Sequence, residues 1–182
     1  MKFVPPFMQW FYDIEPIKVE PIYRFATTKE MFEIYGTPEE NPDYLITIDL
    51  PYPMRLSWVT DVTVKRMRCH RKVAKDFLDV FDELLDAYGI IRIQQLGIDL
   101  FGGCFNFRKM RGGNDWSRHS WGVAIDLDPQ RNGLKTKWKK SQFSKTEYYE
   151  MHRIFEKYGF LNLGKEKGYD PMHFEKGIKI NN

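Results

Sequence analysis

Two short segments of this sequence place histidines next to carboxylates. The first reads Ser-Arg-His-Ser-Trp-Gly-Val-Ala-Ile-Asp-Leu-Asp over residues 117–128. Apolar and polar residues alternate in its second half, which predicts a strand that turns Asp126 away from the apolar face. Gly122 permits a sharp bend between His119 and this strand. We therefore expect the His119 and Asp126 side chains to converge.

The second segment reads Tyr-Asp-Pro-Met-His-Phe-Glu over residues 169–175. In a strand, His173 and Glu175 share one face, opposite Met172 and Phe174. Two imidazoles and one carboxylate form the donor set of a catalytic zinc site, which has three protein ligands and a fourth position for water. Spacing alone leaves an alternative open, because hydrogen-bonded polar residues at strand ends give the same pattern.

Asp170 is the candidate base beside these ligands. It lies three residues before His173. In a regular strand, side chains at this odd spacing point to opposite faces. Pro171 favours an extended or turn conformation at Asp170 and interrupts the ladder, so both side chains can still reach one pocket. A carboxylate near zinc-bound water can accept its proton, since zinc lowers the pKa of that water from about 15.7 towards about 7.

Both segments resemble, in order, the S-x-H-x-x-G-x-A-x-D and D/E-x-x-H signature of a zinc peptidase family. That family contains D-Ala-D-Ala carboxypeptidases and dipeptidases and the L-alanyl-D-glutamate endopeptidases of phage endolysins. The general pattern extends from about residue 60 to residue 178. The resemblance implies a Hedgehog/D,D-peptidase-like fold, Zn²⁺ as cofactor and the peptidoglycan stem peptide as substrate.

By this resemblance, His119, Asp126 and His173 bind zinc and Asp170 is the general base. The D,D-peptidases tend to carry Glu at the base position, whereas the endolysin-like branch carries Asp, which favours cleavage between L-Ala and D-Glu. The family also has an arginine upstream of the first motif that polarises the scissile carbonyl. Arg108 is the best match for it, and Arg111 is the second. Met172 departs from the pattern, since many relatives have Trp there.

Three further residues are candidates for supporting the site. Ser117 is two residues from His119, and we expect it to contribute a hydrogen bond rather than act as a nucleophile. Asp128 and Glu175 occupy the strand faces of Asp126 and His173 and could orient an imidazole or a substrate amine. The other histidines, His70 and His152, are expected to have capping, surface or structural roles, and Trp116 and Trp121 suit either stacking on substrate or core packing.

Hydrophobic spacing predicts the elements that position these residues. Helix signals occur in three places: a capping box at Thr27 and Glu30 with a stop at Gly36, apolar spacing from about His70 to Tyr88 with a stop at Gly89, and a capping box at Ser144 and Glu147 with a stop at Gly159. Strands are predicted near residues 44–49, 90–96, 103–107, 123–127, 160–163 and 172–180. Strands clustered around two main helices favour an α+β domain with a small antiparallel sheet and flanking helices.

Length and composition fit this single compact domain. The chain has 182 residues, of which 42% are hydrophobic and 29% charged, which excludes disordered and collagen-like proteins. Residues 61–182 are predicted to form the catalytic domain. Residues 1–60 form an N-terminal extension of unknown role, expected to pack on the core. The two cysteines, Cys69 and Cys104, are too few for a disulfide framework and suit a reducing compartment.

We therefore expect a monomeric zinc peptidase of the endolysin type. The N-terminal residues 1–10 read poorly as a signal peptide, so we expect synthesis in the cytoplasm and action on the wall after release, in a phage or prophage context. The alternatives are a D-Ala-D-Ala carboxypeptidase and a non-catalytic wall-binding or virion protein. Membrane insertion is not expected, and nucleic-acid binding through lysines at 135–140 has little support because the net charge is only +3.

Overall fold

A mixed sheet and the helices around it bring together the two segments that contain the candidate metal ligands. The structure is a computed structural model, and it describes residues 21–180. Its strands are β1 (Tyr23–Arg24), β2 (Leu45–Leu56), β3 (Val59–His70), β4 (Leu100–Gly103), β5 (Ala124–Leu127), β6 (Phe160–Asn162), β7 (His173–Lys176) and β8 (Ile178–Lys179). Its α-helices are α1 (Thr28–Tyr35), α2 (Ala74–Leu96), α3 (Pro129–Asn132), α4 (Tyr149–Lys157) and α5 (Leu163–Lys167). The signal-peptide prediction for residues 1–10 lies outside the described residues.

Six of these strands form one sheet in the order β3-β2-β4-β5-β7-β6, while β1 and β8 pair separately. All neighbours are antiparallel except β2 and β4, which run parallel. The prediction of an α+β fold is therefore confirmed. The predicted boundary at residues 60/61 falls inside β3, so residues on both sides of it share the β2–β3 hairpin.

The first helix forms as its sequence signals indicate. The Glu30 backbone N–H donates to Thr27 Oγ1 at 3.2 Å, and the Thr27 backbone N–H donates to Glu30 Oε2 at 2.8 Å. These reciprocal bonds satisfy two donors that a helix start leaves unpaired. Gly36 follows the last turn with φ 79°, and its N–H donates to the Phe32 carbonyl. The predicted capping box and stop are both confirmed.

The long helix α2 departs from the prediction at both ends. His70 is the last residue of β3, and the helix begins at Ala74. Gly89 breaks the helix with φ 66° and ψ 155°, but a second helical stretch continues to Leu96. The predicted strand at 90–96 is therefore wrong. Ile93 and Leu96 are buried at helical spacing while Ile91 is exposed, so one-sided burial overrides the β-propensity of this isoleucine-rich run.

Two other local predictions need correction. Ser144 lies in a 3₁₀ turn, where its backbone N–H donates to Ser141 Oγ at 3.2 Å. It does not cap α4, which follows Tyr148 without a side-chain cap. The strand predicted at 103–107 ends instead at Gly103, because β4 occupies Leu100–Gly103.

The core lies between the sheet and the helices α2 and α4. Phe77 and Phe81 of α2 and Phe155 of α4 are fully buried. The Phe155 ring stacks on Phe174 of β7, with ring centroids 4.2 Å apart. This packing fixes the strand that carries His173. Cys69 and Cys104 are buried free thiols. Among the helices of residues 21–180, we find none with the length and apolar character needed to cross a bilayer.

Candidate metal centre

A 3₁₀ turn and two paired strands bring the three predicted ligands together. His119 lies in the turn Arg118–Trp121, which ends at Gly122 in the left-handed conformation. Asp126 belongs to β5, and His173 begins the neighbouring strand β7. The antiparallel register places Asp126 directly opposite His173. Side chains at opposed positions on one sheet face are near neighbours, so this register itself brings the two together.

The three ligand atoms form a nearly equilateral triangle. His119 Nε2 lies 3.2 Å from Asp126 Oδ1 and 3.2 Å from His173 Nδ1, and the last two atoms are 3.0 Å apart. In a tetrahedral zinc site with bonds of about 2.0–2.1 Å, ligand atoms are separated by about 3.3 Å. The side lengths of the triangle are therefore close to those that a bound zinc ion requires.

Hydrogen bonds on the outer side of each ring decide which nitrogens face inward. His119 Nδ1 donates to the Cys104 carbonyl at 2.7 Å, because a carbonyl can only accept. His173 Nε2 donates to Glu175 Oε2 at 3.0 Å. When both rings are neutral, each uses its single proton outside the triangle and turns a lone pair towards Asp126. Three electron-rich atoms facing one another need a cation between them, and this donor set suits zinc.

The electrostatics of the cluster point the same way. Burial by itself raises the pKa of Asp126, but the adjacent His119 and His173 hold it well below the usual range. Burial lowers the pKa of His173, yet hydrogen bonds and charges from Asp126 and Glu175 raise it to about 10. The cluster therefore has a strong preference for positive charge at its centre, which a divalent metal ion supplies when bound.

Asp170 lies in the same pocket and has a free oxygen. Its carbonyl accepts the His173 backbone N–H at 3.1 Å, which closes a turn around Pro171, and its φ is 55°. This is the turn alternative of the sequence prediction. Within residues 21–180, its buried Oδ1 has no hydrogen-bond partner. Burial raises the pKa of Asp170 to about 6, in spite of opposing interactions with His173, His119 and Arg108.

The pocket has a volume of about 260 Å³ and mixes charged with apolar walls. Its lining residues are Arg108, Met110, Arg111, Ser117, Arg118, His119, Asp126, Leu134, Leu163, Tyr169, Asp170, Met172, His173 and Glu175. This size and composition fit a cleft for part of a peptide rather than for a large cofactor.

Arg108 is tied to the ligand-bearing turn through its backbone. Its N–H donates to Ser120 Oγ at 3.0 Å, and its carbonyl accepts from Ser120 Oγ at 2.6 Å and from the Ser117 N–H at 3.2 Å. Arg111 also lines the pocket but is exposed. The structure thus brings both candidate arginines to the pocket. Of the two, within the described residues, only Arg108 has its backbone bonded to the turn that contains His119.

The three predicted supporting residues occupy different places. Glu175 contacts His173 directly, as described above. Ser117 lines the pocket and, in the described part of the chain, makes its hydrogen bonds through its backbone only. Asp128 lies beyond the end of β5 with φ 45°, and its carboxylate accepts from Arg131 Nε at 2.6 Å and Asn132 Nδ2 at 3.0 Å. Asp128 does not line the pocket, because the chain leaves the strand geometry before reaching it.

The remaining candidates lie away from the pocket lining. His70 Nδ1 accepts the Lys72 N–H, and His152 Nε2 donates to the Phe143 carbonyl at 2.9 Å. Trp121 is fully buried in the core, and Trp116 stacks on Phe107 with ring centroids 4.8 Å apart.

Sequence reasoning missed two groups that hold the ligands. The Cys104 carbonyl orients His119, but a backbone acceptor has no signature in the sequence. The Arg118 guanidinium contacts Glu175 through Nε at 3.3 Å. The available signal was the position of Arg118 next to the predicted ligand His119. The spacing does not show where the Arg118 side chain points or which residue it contacts.

Comparisons with known proteins identify a family similar to part of the chain. A family model described as D-alanyl-D-alanine carboxypeptidase matches residues 111–176, about a third of the chain. No curated protein and no solved structure matches significantly. The matched range contains His119, Asp126, Asp170 and His173 but not Arg108. Over this segment, the chain is therefore similar to that peptidase family.

Proposed function

We propose that this protein is a zinc-dependent peptidase that hydrolyses an amide bond in the stem peptide of peptidoglycan. The observation that carries the proposal is the buried triangle of His119, Asp126 and His173, with the free carboxylate oxygen of Asp170 in the same pocket. The family match over residues 111–176 supports the same class of reaction and substrate.

The three ligands would hold the metal, and Asp170 would move the proton. Zinc, when bound, polarises a carbonyl group and makes water a better nucleophile at neutral pH. Asp170 accepts the proton of the attacking water and then delivers it to the leaving amine. Burial raises the pKa of Asp170, which makes its carboxylate basic enough to hold the proton transiently.

Arg108 is assigned to the developing negative charge on the carbonyl oxygen. Its guanidinium lies close enough to Asp170 to lower the pKa of that carboxyl, and its main chain is fixed to the ligand-bearing turn. A donor positioned before the reaction begins stabilises an oxyanion without reorganisation, and the loss of one such donor costs about 3 kcal/mol.

Two bonds are candidates for cleavage. Aspartate at the base position favours the L-Ala–D-Glu bond, by resemblance to the endolysin-type endopeptidases. The printed description of the matching family favours removal of a terminal D-Ala. Mass spectrometry of digested muropeptides distinguishes them, because the first activity releases the stem from L-Ala and the second releases only free D-Ala.

Replacement of the base tests the mechanism directly. We expect Asp170→Ala to abolish the lysis of purified sacculi while zinc content, measured by atomic absorption, stays at that of the wild type. Asp115→Ala is the matched control, because Asp115 is exposed and lies outside the pocket lining. Full activity in the Asp170 variant would reject the assigned base. Zinc binding without any hydrolysis by the wild type would instead favour a non-catalytic wall-binding protein.

A further inference from the structure

The turn that carries His119 is held from outside by the segment around α1. Arg118 Nη2 donates to the Ala26 carbonyl at 2.7 Å, and Trp121 Nε1 donates to the Gly36 carbonyl at 2.7 Å. The Phe32 and Trp121 rings pack in a T-shaped arrangement, with ring centroids 5.5 Å apart. Residues 26–36, here termed the bracing segment, therefore contact the turn on both sides of His119. They lie outside the range that the family model matches.

Arg118 also reaches a ligand through one intermediate side chain. Its Nε donates to Glu175 Oε1 at 3.3 Å, and the other oxygen of Glu175 accepts from His173 Nε2 at 3.0 Å. The side chains of Arg118 and Glu175 are only 16% and 7% exposed. A buried carboxylate needs a counter-charge and full hydrogen bonding to stay ionised and in place. Arg118 supplies both to the oxygen of Glu175 that His173 does not use.

We propose that Arg118 is a positioning residue that connects the bracing segment to the metal centre through Glu175. By holding Glu175 in place, Arg118 keeps Nε2 of His173 bonded outside the ligand triangle and Nδ1 directed into it. This inference rests on the proposed zinc site. It assigns a task to a part of the N-terminal extension that the sequence left without one.

The planar guanidinium is what this position requires. Arg118 bonds an oxygen of Glu175 and the carbonyl of Ala26 with two different nitrogens of one rigid group. A lysine ammonium is a single point charge on a flexible stem and cannot reproduce this fork. We therefore expect Arg118→Lys to retain only part of the effect and Arg118→Gln to lose it.

Zinc affinity, measured by competition with a chromophoric chelator, tests the proposal. Loss of groups that orient a metal ligand typically weakens binding 10–100-fold. We expect this range for Arg118→Gln and Glu175→Gln, and a smaller loss for Arg118→Lys. The double variant Arg118→Gln/Glu175→Gln is expected to match Glu175→Gln alone, because Arg118 acts through Glu175.

Arg153→Gln is the matched control: Arg153 pairs with Glu83 and Glu150 and lies outside the pocket lining. Its zinc affinity should equal that of the wild type.

A second readout reports on the ring itself. Long-range ¹H–¹⁵N NMR spectra of the zinc-loaded protein should show a single His173 ring form, protonated at Nε2, in the wild type and a mixture of forms in Arg118→Gln. An unchanged zinc affinity in Arg118→Gln, or losses that add fully in the double variant, would overturn the positioning role. If Arg118→Gln does not fold, Arg118→Lys decides, and wild-type affinity there overturns the proposal. Failure of the wild-type protein to bind zinc would contradict the proposed function itself.

Discussion

At the scale of single residues, each candidate ligand histidine bonds the protein through one ring nitrogen and turns the other nitrogen towards the pocket. His119 gives Nδ1 to the Cys104 carbonyl, and His173 gives Nε2 to Glu175. The two rings therefore present different nitrogens to the same point. Both outer bonds are to acceptors, so each ring keeps its outer nitrogen protonated and can offer the inner nitrogen to a bound cation.

The two pocket arginines allow a direct test of the oxyanion assignment. We expect Arg108→Met to lower kcat about 100-fold, equivalent to about 3 kcal/mol, with zinc content unchanged. Arg111→Met should lower kcat less than about tenfold, because Arg111 is exposed and, within residues 21–180, its side chain makes no hydrogen bond or ion pair. Steady-state hydrolysis of purified muropeptides measures both. A larger loss in the Arg111 variant would transfer the role to Arg111.

At the scale of elements, the junction between the ligand turn and β5 depends on Gly122. Its φ of +67° is unfavourable for other L-residues, and an added Cβ would lie 2.8 Å from Leu45 Cδ2 and 3.0 Å from the His70 backbone nitrogen. The turn is thus fitted closely against the β2–β3 hairpin. A glycine here serves both backbone conformation and close approach.

Gly122→Ala should therefore cost more stability than an alanine at a comparable but open glycine. Gly168 has φ +84° with nothing within 4 Å of an added Cβ. We expect Gly168→Ala to lower the free energy of unfolding by about 1 kcal/mol, from backbone strain alone. Gly122→Ala should lower it by about 3 kcal/mol, since overpacking adds to the strain. Urea denaturation monitored by circular dichroism compares them, and equal losses would show that the hairpin yields to the added methyl group.

At the scale of the whole molecule, two buried histidines make the fold sensitive to acid. Burial lowers the pKa of His152 to about 4, and burial together with Lys72 lowers that of His70 to about 4. Their ordinary pKa is about 6.5. The unfolded chain therefore binds more protons than the folded one between these values. The contribution of these two histidines to stability is complete above about pH 6.5 and decreases as the pH falls towards 4.

We expect His152 to cost about 2 kcal/mol of stability at pH 5 relative to pH 7.5. His152→Gln keeps a donor for the Phe143 carbonyl but removes the titrating group. The difference in unfolding free energy between the two pH values should then shrink by about 2 kcal/mol, measured by urea denaturation. The same pH dependence in wild type and variant would show that His152 does not carry this effect.

Local signals determined much of this protein. The capping box of α1, the turn at Pro171 and the α+β class follow from near-neighbour chemistry, which a sequence displays directly. The spacing of His119, Asp126 and His173 also predicted the residues that the structure brings together. Their types fit a donor set for zinc, because imidazole nitrogen and carboxylate oxygen are among its usual ligands.

Only the tertiary structure decided the rest. The apolar run at residues 90–96 is by itself compatible with a strand and with a helix. Which of the two forms depended on which of its side chains became buried in the core. The convergence of Asp126 and His173 depended on strand register, and the support of His173 on a contact between Arg118 and Glu175, 57 positions apart. Such long-range contacts arise from tertiary packing, and no pattern among neighbouring residues in the sequence predicts them. The sequence therefore names the candidate metal ligands, whereas the fold determines which nitrogen each histidine turns inward and what holds it there.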